Sequence, residues 1–198
     1  MPHHDPLSRA LHDQGPPGLS PLPPAAEDLL LSLSAPPRLA AHLRLVHDVA
    51  HQLTEWMPLH CPGLAFDREA VLFGAATHDV GKAVHLAELA GPGSAHEDAG
   101  QELLLAHGFD ASRARFAATH ASWTRSGVTF EDLLVSTADK IWKNRRVPEL
   151  EDLVVTHLAR ASGRERWEEF LALDDTLGRI GEGADSRLAH QASFPVYA

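Results

Sequence analysis

Fourteen histidines and a single cysteine distinguish this chain of 198 residues. Imidazole is the commonest metal ligand in proteins, and it titrates near neutral pH. Six residues of ligand type lie at the ends of predicted helices or on amphipathic helices; they are His42, His78, Asp79, His96, His120 and Asp139. Nitrogen and oxygen ligands without a thiolate suit Fe, Mn, Zn, Co or Mg and do not suit a cysteine-type structural zinc site. The sequence therefore predicts a centre for one or two divalent metal ions.

The first ligand of this series has two candidates on one predicted helix. On a helical wheel, His42 shares a face with Val46, Val49 and Leu53, and an apolar face of this kind points into the core. His47 falls at the boundary of that face. The wheel favours His42 as the ligand and leaves His47 as the alternative. If His42 is the ligand, His47 is a candidate for substrate contact.

Basic residues beside the expected ligands are candidates for phosphate contact. Lys82 follows Asp79 by about one helical turn, where its ammonium group can meet a nonbridging phosphate oxygen. The one basic cluster of the chain comes directly after Asp139 and consists of Lys140, Lys143, Arg145 and Arg146. Arginine suits bidentate contact with phosphate, so this cluster predicts a clamp for a polyanionic substrate. The alternative for each residue is an ordinary charge at a solvated helix end.

Two tryptophans follow expected ligands and allow two interpretations. Trp123 comes three residues after His120, and Trp142 comes three residues after Asp139. Either ring can stack on the base of a nucleotide. Either can also be an ordinary aromatic residue of the core or its rim.

The elements that position these residues are predicted to be helices, because apolar residues recur at spacings of three and four and seldom alternate. We expect an all-α bundle of about seven helices, which cover residues 38–57, 68–78, 95–107, 111–120, 130–144, 149–162 and 164–180. Pro58 and the turn formed by Cys61, Pro62 and Gly63 are expected to end the first of them. Ser94 and Glu97 have the spacing of a capping box and are expected to open the third helix.

The chain is expected to contain one helical domain between two less ordered ends. Residues 1–26 are rich in proline and histidine and have little apolar periodicity, so we expect a flexible arm there. The domain is expected over residues 27–183, and a C-terminal tail over 184–198.

Composition excludes several classes of protein. The formal net charge of −10 argues against general nucleic-acid binding. We expect no membrane association, because no apolar run reaches the ~18 residues that a membrane span needs. Cys61 stands alone, which excludes an intramolecular disulfide framework and fits a cytoplasmic location. The sequence leaves the oligomeric state open, with a homodimer as one possibility.

Taken in order, the motifs resemble those of the HD superfamily of metal-dependent phosphohydrolases. The resemblance covers residues 38–146 and includes HDVGK at 78–82, AHEDAG at 95–100 and ADK at 138–140, in addition to His42 and His120. Within the superfamily, AHEDAG and the longer segment ADKIWKNRR look most like the bacterial enzymes that cleave symmetric dinucleoside tetraphosphates. The gap between His42 and HDVGK is longer here than in those enzymes, which keeps His47 open as the first ligand.

The resemblance implies an HD-type helical fold and a role for each ligand. It assigns one ion to four residues, which are His42, His78, Asp79 and Asp139. His96 and His120 match the two extra histidines of members with two metals, in which the aspartate corresponding to Asp79 bridges both ions. Asp79 and Lys82 are then the expected catalytic residues. The implied activity is hydrolysis of a phosphoester or phosphoanhydride in a small phosphorylated molecule, with a nucleotide or a dinucleoside polyphosphate as the expected substrate.

Two other functions remain open. Some HD-fold proteins with a similar ligand set hold two irons and oxidise their substrate with O₂. A sensor that binds a nucleotide without converting it is the third possibility.

Overall fold

The all-α class is confirmed by a computed structural model, which describes residues 5–15 and 18–197. Within these residues the chain forms ten α-helices, two 3₁₀ helices and no strand. The α-helices, in chain order, are α1 (Pro6–His12), α2 (Pro24–Ser32), α3 (Pro37–His60), α4 (Arg68–Thr77), α5 (Ala95–Ala106), α6 (Ala111–Thr119), α7 (Phe130–Ile141), α8 (Pro148–Ser162), α9 (Arg166–Glu182) and α10 (Ala184–Ala192). The 3₁₀ helices, Val80–Ala83 and Leu86–Leu89, lie between α4 and α5. None of the helices in the described ranges combines the length and the apolar composition needed to cross a bilayer.

Helix α3 is the central element of the bundle. It contacts α1, α4, α7 and α10, and nearly every side chain from Leu39 to Ala50 is buried. Two clusters of buried apolar residues share this helix. One surrounds its C-terminal half with residues of α7, α8 and α9, and the other surrounds its N-terminal half with residues of α1, α2 and α4. The helix therefore carries side chains toward the interior in several directions.

The end of α3 differs from the expectation. Pro58 does not end the helix, which continues to His60 and closes where the Cys61 N–H donates to the Met57 carbonyl at 2.8 Å. Proline lacks a backbone N–H, so the helix loses one hydrogen bond at Pro58. In the last turn of a helix this single loss is tolerated. The expected stop at Met57 was therefore three residues too early.

Part of the expected flexible arm forms a helix in the structure. Helix α1 buries Leu7, Ala10 and Leu11, whose spacing of three and four places them on one face. The Arg44 guanidinium holds this helix by donating to the carbonyls of Ala10 and Asp13, at 3.2 and 2.7 Å. A short apolar stripe in a proline-rich segment was thus enough to pack against α3. Residues 1–4, 16 and 17 of the expected arm lie outside the described residues.

The expected C-terminal tail is also largely ordered. Residues 184–192 form α10, and Phe194 is buried beyond it. The Arg187 guanidinium donates to the carbonyls of Trp142 and Ile180, at 2.7 and 2.5 Å. The Arg38 guanidinium donates to the Phe194 carbonyl at 3.0 Å. These bonds attach the C-terminal segment to the start of α3 and the end of α7.

Candidate metal centre

Six side chains meet in the interior of the bundle. Three come from α3, α5 and α7, two from the C-terminal caps of α4 and α6, and one from the segment after α4. All six are buried, and their ligand atoms form two groups in which every atom lies within 4.8 Å of the others. The first group, which we call cluster 1, consists of His42, His78 and Asp139. The second group, which we call cluster 2, consists of Asp79, His96 and His120. Both clusters could hold a metal ion, and the six residues are the six predicted ligands.

Asp79 stands between the two clusters. Its Oδ2 lies 3.2 Å from His42 Nε2 and 3.7 Å from His78 Nε2. Its Oδ1 lies 3.0 Å from His96 Nε2 and 3.5 Å from His120 Nε2. The two oxygens of one carboxylate therefore face different histidine pairs. This is the arrangement that one aspartate needs in order to contribute to two ion sites at once.

Local backbone structure explains how Asp79 reaches this position. It follows His78, the C-terminal cap of α4, and precedes the first 3₁₀ helix, with φ −104° and ψ 11°. This conformation lies in the sparsely populated region between the helical and extended conformations, where many active-site residues are found. In a continuous α-helix two adjacent side chains would point in different directions. The change from α-helix to 3₁₀ helix at Asp79 alters this, so His78 and Asp79 both point to the centre.

Two of the histidines are oriented by backbone carbonyls. His78 Nδ1 donates to the Ala75 carbonyl and His120 Nδ1 donates to the Ala117 carbonyl, each at 2.9 Å. A carbonyl only accepts, so Nδ1 carries the hydrogen and Nε2 keeps its lone pair when the ring is neutral. In both residues the free lone pair faces the clusters. Such an outer hydrogen bond is the usual support of a metal-binding histidine.

His96 is oriented by a carboxylate that the sequence analysis missed. Glu88, on the second 3₁₀ helix, lies 2.5 Å from His96 Nδ1 and accepts the backbone N–H groups of Ala95 and His96, each at 3.1 Å. Glu88 therefore has two roles: it caps the start of α5, and it fixes the orientation of the His96 ring. The expected capping box of Ser94 and Glu97 is wrong, because Ser94 makes no side-chain bond at this helix end.

Gly81 allows cluster 2 to assemble. A Cβ atom at this position would lie 2.0 Å from the His96 carbonyl oxygen and 2.6 Å from the Gly100 nitrogen. Because both atoms belong to the backbone of α5, a side chain could not be accommodated by a rotamer change. The missing side chain lets the first 3₁₀ helix lie directly against α5, and this contact brings His96 beside Asp79.

The electrostatics of the clusters favour the protonation states that bind metal. Burial is the largest single influence and acts to raise the pKa of Asp79 and of Asp139. The surrounding histidines, His78 foremost, together with Lys140 at Asp139, jointly outweigh burial, and both pKa values fall well below their ordinary range. Burial lowers the pKa of His42, and it lowers the pKa of His120 to about 4. At neutral pH both carboxylates are therefore charged and both imidazoles neutral, as ligation requires.

His96 is the exception among these histidines. Burial acts to lower its pKa, but the carboxylates of Asp79 and Glu88 outweigh burial, and the pKa is raised above its ordinary value. A proton therefore competes with a metal ion at this ligand more strongly than at His120.

Lys82 and Lys140 lie against the ligand carboxylates. Lys82 Nζ is 2.5 Å from Asp79 Oδ2, and Lys140 Nζ is 2.5 Å from Asp139 Oδ2. Both lysines were expected to contact phosphate, and the structure gives each of them a carboxylate partner at the centre. Two ammonium groups thus bring positive charge to the edge of the clusters.

The remaining expected substrate contacts lie in different places. Lys143 is exposed and lines a cavity beside cluster 1. Arg145 is exposed, and no ion pair joins it to a cluster residue in the described part of the chain. The Arg146 guanidinium makes two bonds to Glu151, at 2.9 and 2.7 Å, and one to Asp174 at 2.7 Å. Arg146 therefore has a structural role, tying α8 and α9, in place of the expected phosphate contact.

His47 does not belong to the centre. It is buried on α3, and the charged residues that affect it are His51, Asp48, Arg44 and Arg68, none of which is a cluster residue. Burial lowers its pKa to about 4. The structure therefore brings the residue favoured by the helical wheel into cluster 1 and leaves the alternative outside. Substrate contact by His47 is not supported either. Its expected position at a face boundary was wrong because α3 is enclosed on nearly all sides.

A cavity of about 170 Å³ opens beside cluster 1. Its lining includes Arg38, His42, Lys82, Trp142, Lys143 and Gln191. Trp142 is buried, and its ring meets the His42 ring edge-on at a centroid distance of 4.8 Å. Trp123 is half-buried at the rim of the core, and the Lys140 ammonium lies 5.8 Å from its ring centre. Trp142 is therefore a core aromatic residue that also forms a cavity wall.

Comparison of the chain with protein-family models, with curated proteins and with solved structures finds no match. The capacity to bind metal therefore rests on the geometry of the two clusters, on their burial and on the orientation of their histidines.

Proposed function

We propose that the protein is an HD-type metal-dependent phosphohydrolase that cleaves a phosphoester or phosphoanhydride in a small phosphorylated molecule. The expected substrate is a nucleotide or a dinucleoside polyphosphate. The observation that carries this proposal is the position of Asp79, whose two oxygens face the histidines of two different clusters. An aspartate shared in this way suits a pair of ions acting on one phosphoryl group.

The donor set fits a pair of divalent ions. His42, His78, Asp139 and Asp79 Oδ2 would hold one ion, and His96, His120 and Asp79 Oδ1 would hold the other. The Nε2 atoms of His42, His78 and His96 are buried, and although Asp79 oxygens lie 3.0–3.7 Å away, none of these nitrogens makes a hydrogen bond of acceptable geometry among the described residues. Buried polar atoms are normally satisfied, so three converging unsatisfied nitrogens indicate a missing ligand. Fe, Mn, Zn, Co and Mg are all compatible with nitrogen and oxygen donors.

When bound, a divalent cation would lower the pKa of its water toward about 7 and would neutralise charge on phosphoryl oxygens. The chain itself supplies positioning and further positive charge. The Lys82 and Lys140 ammonium groups lie at the ligand carboxylates, within reach of a phosphate group held at the clusters. Because the surrounding side chains are buried, the effective dielectric constant is low, and these charges act more strongly on a phosphoryl oxygen than they would in water.

A hydrolysis screen with nucleotides and dinucleoside polyphosphates tests the proposal. The protein is stripped of metal, reloaded with Mn, Fe, Co or Mg, and assayed for released phosphate and cleaved products. We expect activity that depends on metal and is lost in Asp79→Ala. Asp185 is exposed and distant from Asp79 in sequence, so it provides the matched control. Asp185→Asn is expected to keep full activity. Full activity of Asp79→Ala in the absence of metal would contradict the proposal.

The same screen separates hydrolysis from the two alternatives. An oxygenase with two irons would use the same ligand types, but the ammonium groups of Lys82 and Lys140 suit a phosphate better than a neutral organic substrate. Hydrolysis continues without O₂, whereas oxygenation stops. Tight nucleotide binding without any product, across the whole panel and with every metal, would indicate a sensor.

A further inference from the structure

Cationic side chains line the cavity beside cluster 1 in an otherwise acidic protein, and one of them, Lys82, is paired with Asp79. Arg38, Lys82 and Lys143 line it, and the described residues of its lining include no carboxylate. The formal charge of the whole chain is −10, so three cations around one cavity depart strongly from the average surface. Cations grouped around a cleft concentrate the electrostatic field and attract anions.

Two buried ring nitrogens in the lining have no hydrogen-bond partner among the described residues. One is Trp142 Nε1, which can only donate, and the other is His42 Nδ1. The Nδ1 atoms of His78, His96 and His120 all have a carbonyl or carboxylate partner, so His42 is the exception. If His42 Nε2 binds a metal ion, the ring hydrogen resides on Nδ1, which then requires an acceptor.

The size of the cavity limits what can occupy it. Sites that enclose a drug-sized molecule have volumes of roughly 300–1,000 Å³, well above the 170 Å³ found here. A phosphate group fits this space, and a complete nucleoside does not. Gln191 of α10 forms part of the wall, and Arg38 is bonded to the Phe194 carbonyl at 3.0 Å, so the C-terminal segment helps to close the cavity.

We infer that this cavity is an anion subsite that holds a phosphate group of the substrate other than the group that is cleaved. Arg38 and Lys143 supply positive charge, and Trp142 Nε1 donates a hydrogen bond to a phosphate oxygen. Lys82 lies between the subsite and Asp79, and it connects the two positions. Assigning the bound phosphate to a substrate rests on the proposed function, whereas phosphate binding in the cavity does not.

Titration of inorganic phosphate into the full-length protein after metal removal tests the subsite apart from the metal centre. We expect saturable binding, monitored by calorimetry, that becomes about tenfold weaker in Lys143→Gln and in Trp142→Phe, since each loses a contact to a charged ligand. Arg160→Gln removes an exposed cation from α8, outside the cavity lining, and is the matched control that should bind within twofold of the wild type. Absence of saturable binding, or equal weakening in Lys143→Gln and Arg160→Gln, would overturn the subsite. Lys143 is exposed, so its variant carries the test if Trp142→Phe does not fold.

A kinetic comparison separates a substrate phosphate from a free ion. In the metal-loaded enzyme, Lys143→Gln should raise KM about tenfold for a nucleoside triphosphate and leave KM for p-nitrophenyl phosphate, which has one phosphate, unchanged. An equal change for both substrates would overturn the assignment to a second substrate phosphate. Phosphate binding with the expected variant pattern but no hydrolysis of any substrate would support the anion subsite and refute the proposed function.

Discussion

Replacement of Glu88 separates the support of a metal ligand from the stability of the fold. Its carboxylate accepts three hydrogen bonds, two from backbone N–H groups at the start of α5 and one from His96 Nδ1 at 2.5 Å. Glu88→Ala removes all three bonds. Loss of an outer carboxylate that orients a metal-binding histidine typically weakens metal binding 10- to 100-fold, and we expect the upper end of this range at cluster 2.

The same substitution should have only a modest effect on stability. Loss of a helix cap in a protein of this size lowers Tm by roughly 2–4 °C. Glu88→Gln keeps one acceptor oxygen but loses the negative charge, so we expect metal binding to weaken about tenfold and Tm to fall less than in the alanine variant. Glu102→Ala removes an exposed carboxylate from α5, the helix that Glu88 caps, and should change neither metal binding nor Tm.

Metal affinity is measured by competition with a chelating dye, and metal content by elemental analysis of the dialysed protein. Cluster 1 does not include His96, so in Glu88→Ala the metal affinity of cluster 1 should remain within about threefold of the wild type. A change of this size is smaller than the 10- to 100-fold loss expected when an outer ligand contact is removed. The account of Glu88 would be refuted if Glu88→Ala bound two ions with wild-type affinity. It would also be refuted if Glu102→Ala lost as much affinity as Glu88→Ala.

Three further predictions concern the contact beside cluster 2, its protonation and the far end of α3. Gly81→Ala should lower the free energy of unfolding, measured with denaturant, by about 1–3 kcal/mol or more, because the new Cβ would collide with the backbone of α5. Gly178→Ala, where a Cβ meets nothing within 4 Å, is its control. Metal affinity at cluster 2 should fall as pH drops through the raised pKa of His96, by about tenfold per pH unit, and calorimetry in two buffers should detect the released proton. An affinity independent of pH between 5.5 and 8 would contradict this. Finally, the Glu169 carboxylate lies 2.5 Å from His60 Nε2 and 2.6 Å from Ser162 Oγ. Burial raises the pKa of Glu169, but these partners outweigh it and the pKa is lowered. Its contribution to stability is therefore full above the ordinary value of 4.5 and is lost as pH falls further, so the stability difference between the wild type and Glu169→Gln should shrink below pH 4.5.

Several of the cluster residues were predictable because they have a strong local signal. His42 lies on the apolar face of a long helix, and His78 and Asp79 come where an apolar helix ends before Gly81. Asp67 and Asp110 are N-cap residues of a common type and accept the N–H groups of the residues three positions later. Patterns of this kind depend on neighbours in sequence, so one chain is sufficient to find them.

The residues that support the clusters and the fold were not predictable from the sequence. Their partners are distant in sequence, or the composition around them is not typical of a helix. Glu88 precedes α5 by seven residues, and a Gly-Pro-Gly turn at 91–93 folds it back to the helix end, so no capping motif indicates it. The Arg146 partner Asp174 lies 28 residues away. The proline content of the N-terminal segment concealed the apolar stripe of α1. In each case the tertiary contact decides the role, and local spacing does not record it.

The metal content of the reconstituted protein tests the central claim most directly. Protein stripped of metal, reloaded anaerobically with Mn or Fe and freed of excess metal, is measured by elemental analysis for the wild type, Asp79→Ala and Asp185→Asn. Two clusters bridged by Asp79 predict two ions per chain in the wild type and in Asp185→Asn, and at most one, held by cluster 1, in a folded Asp79→Ala protein. Two tightly held ions in Asp79→Ala, or none in the wild type, would contradict the account.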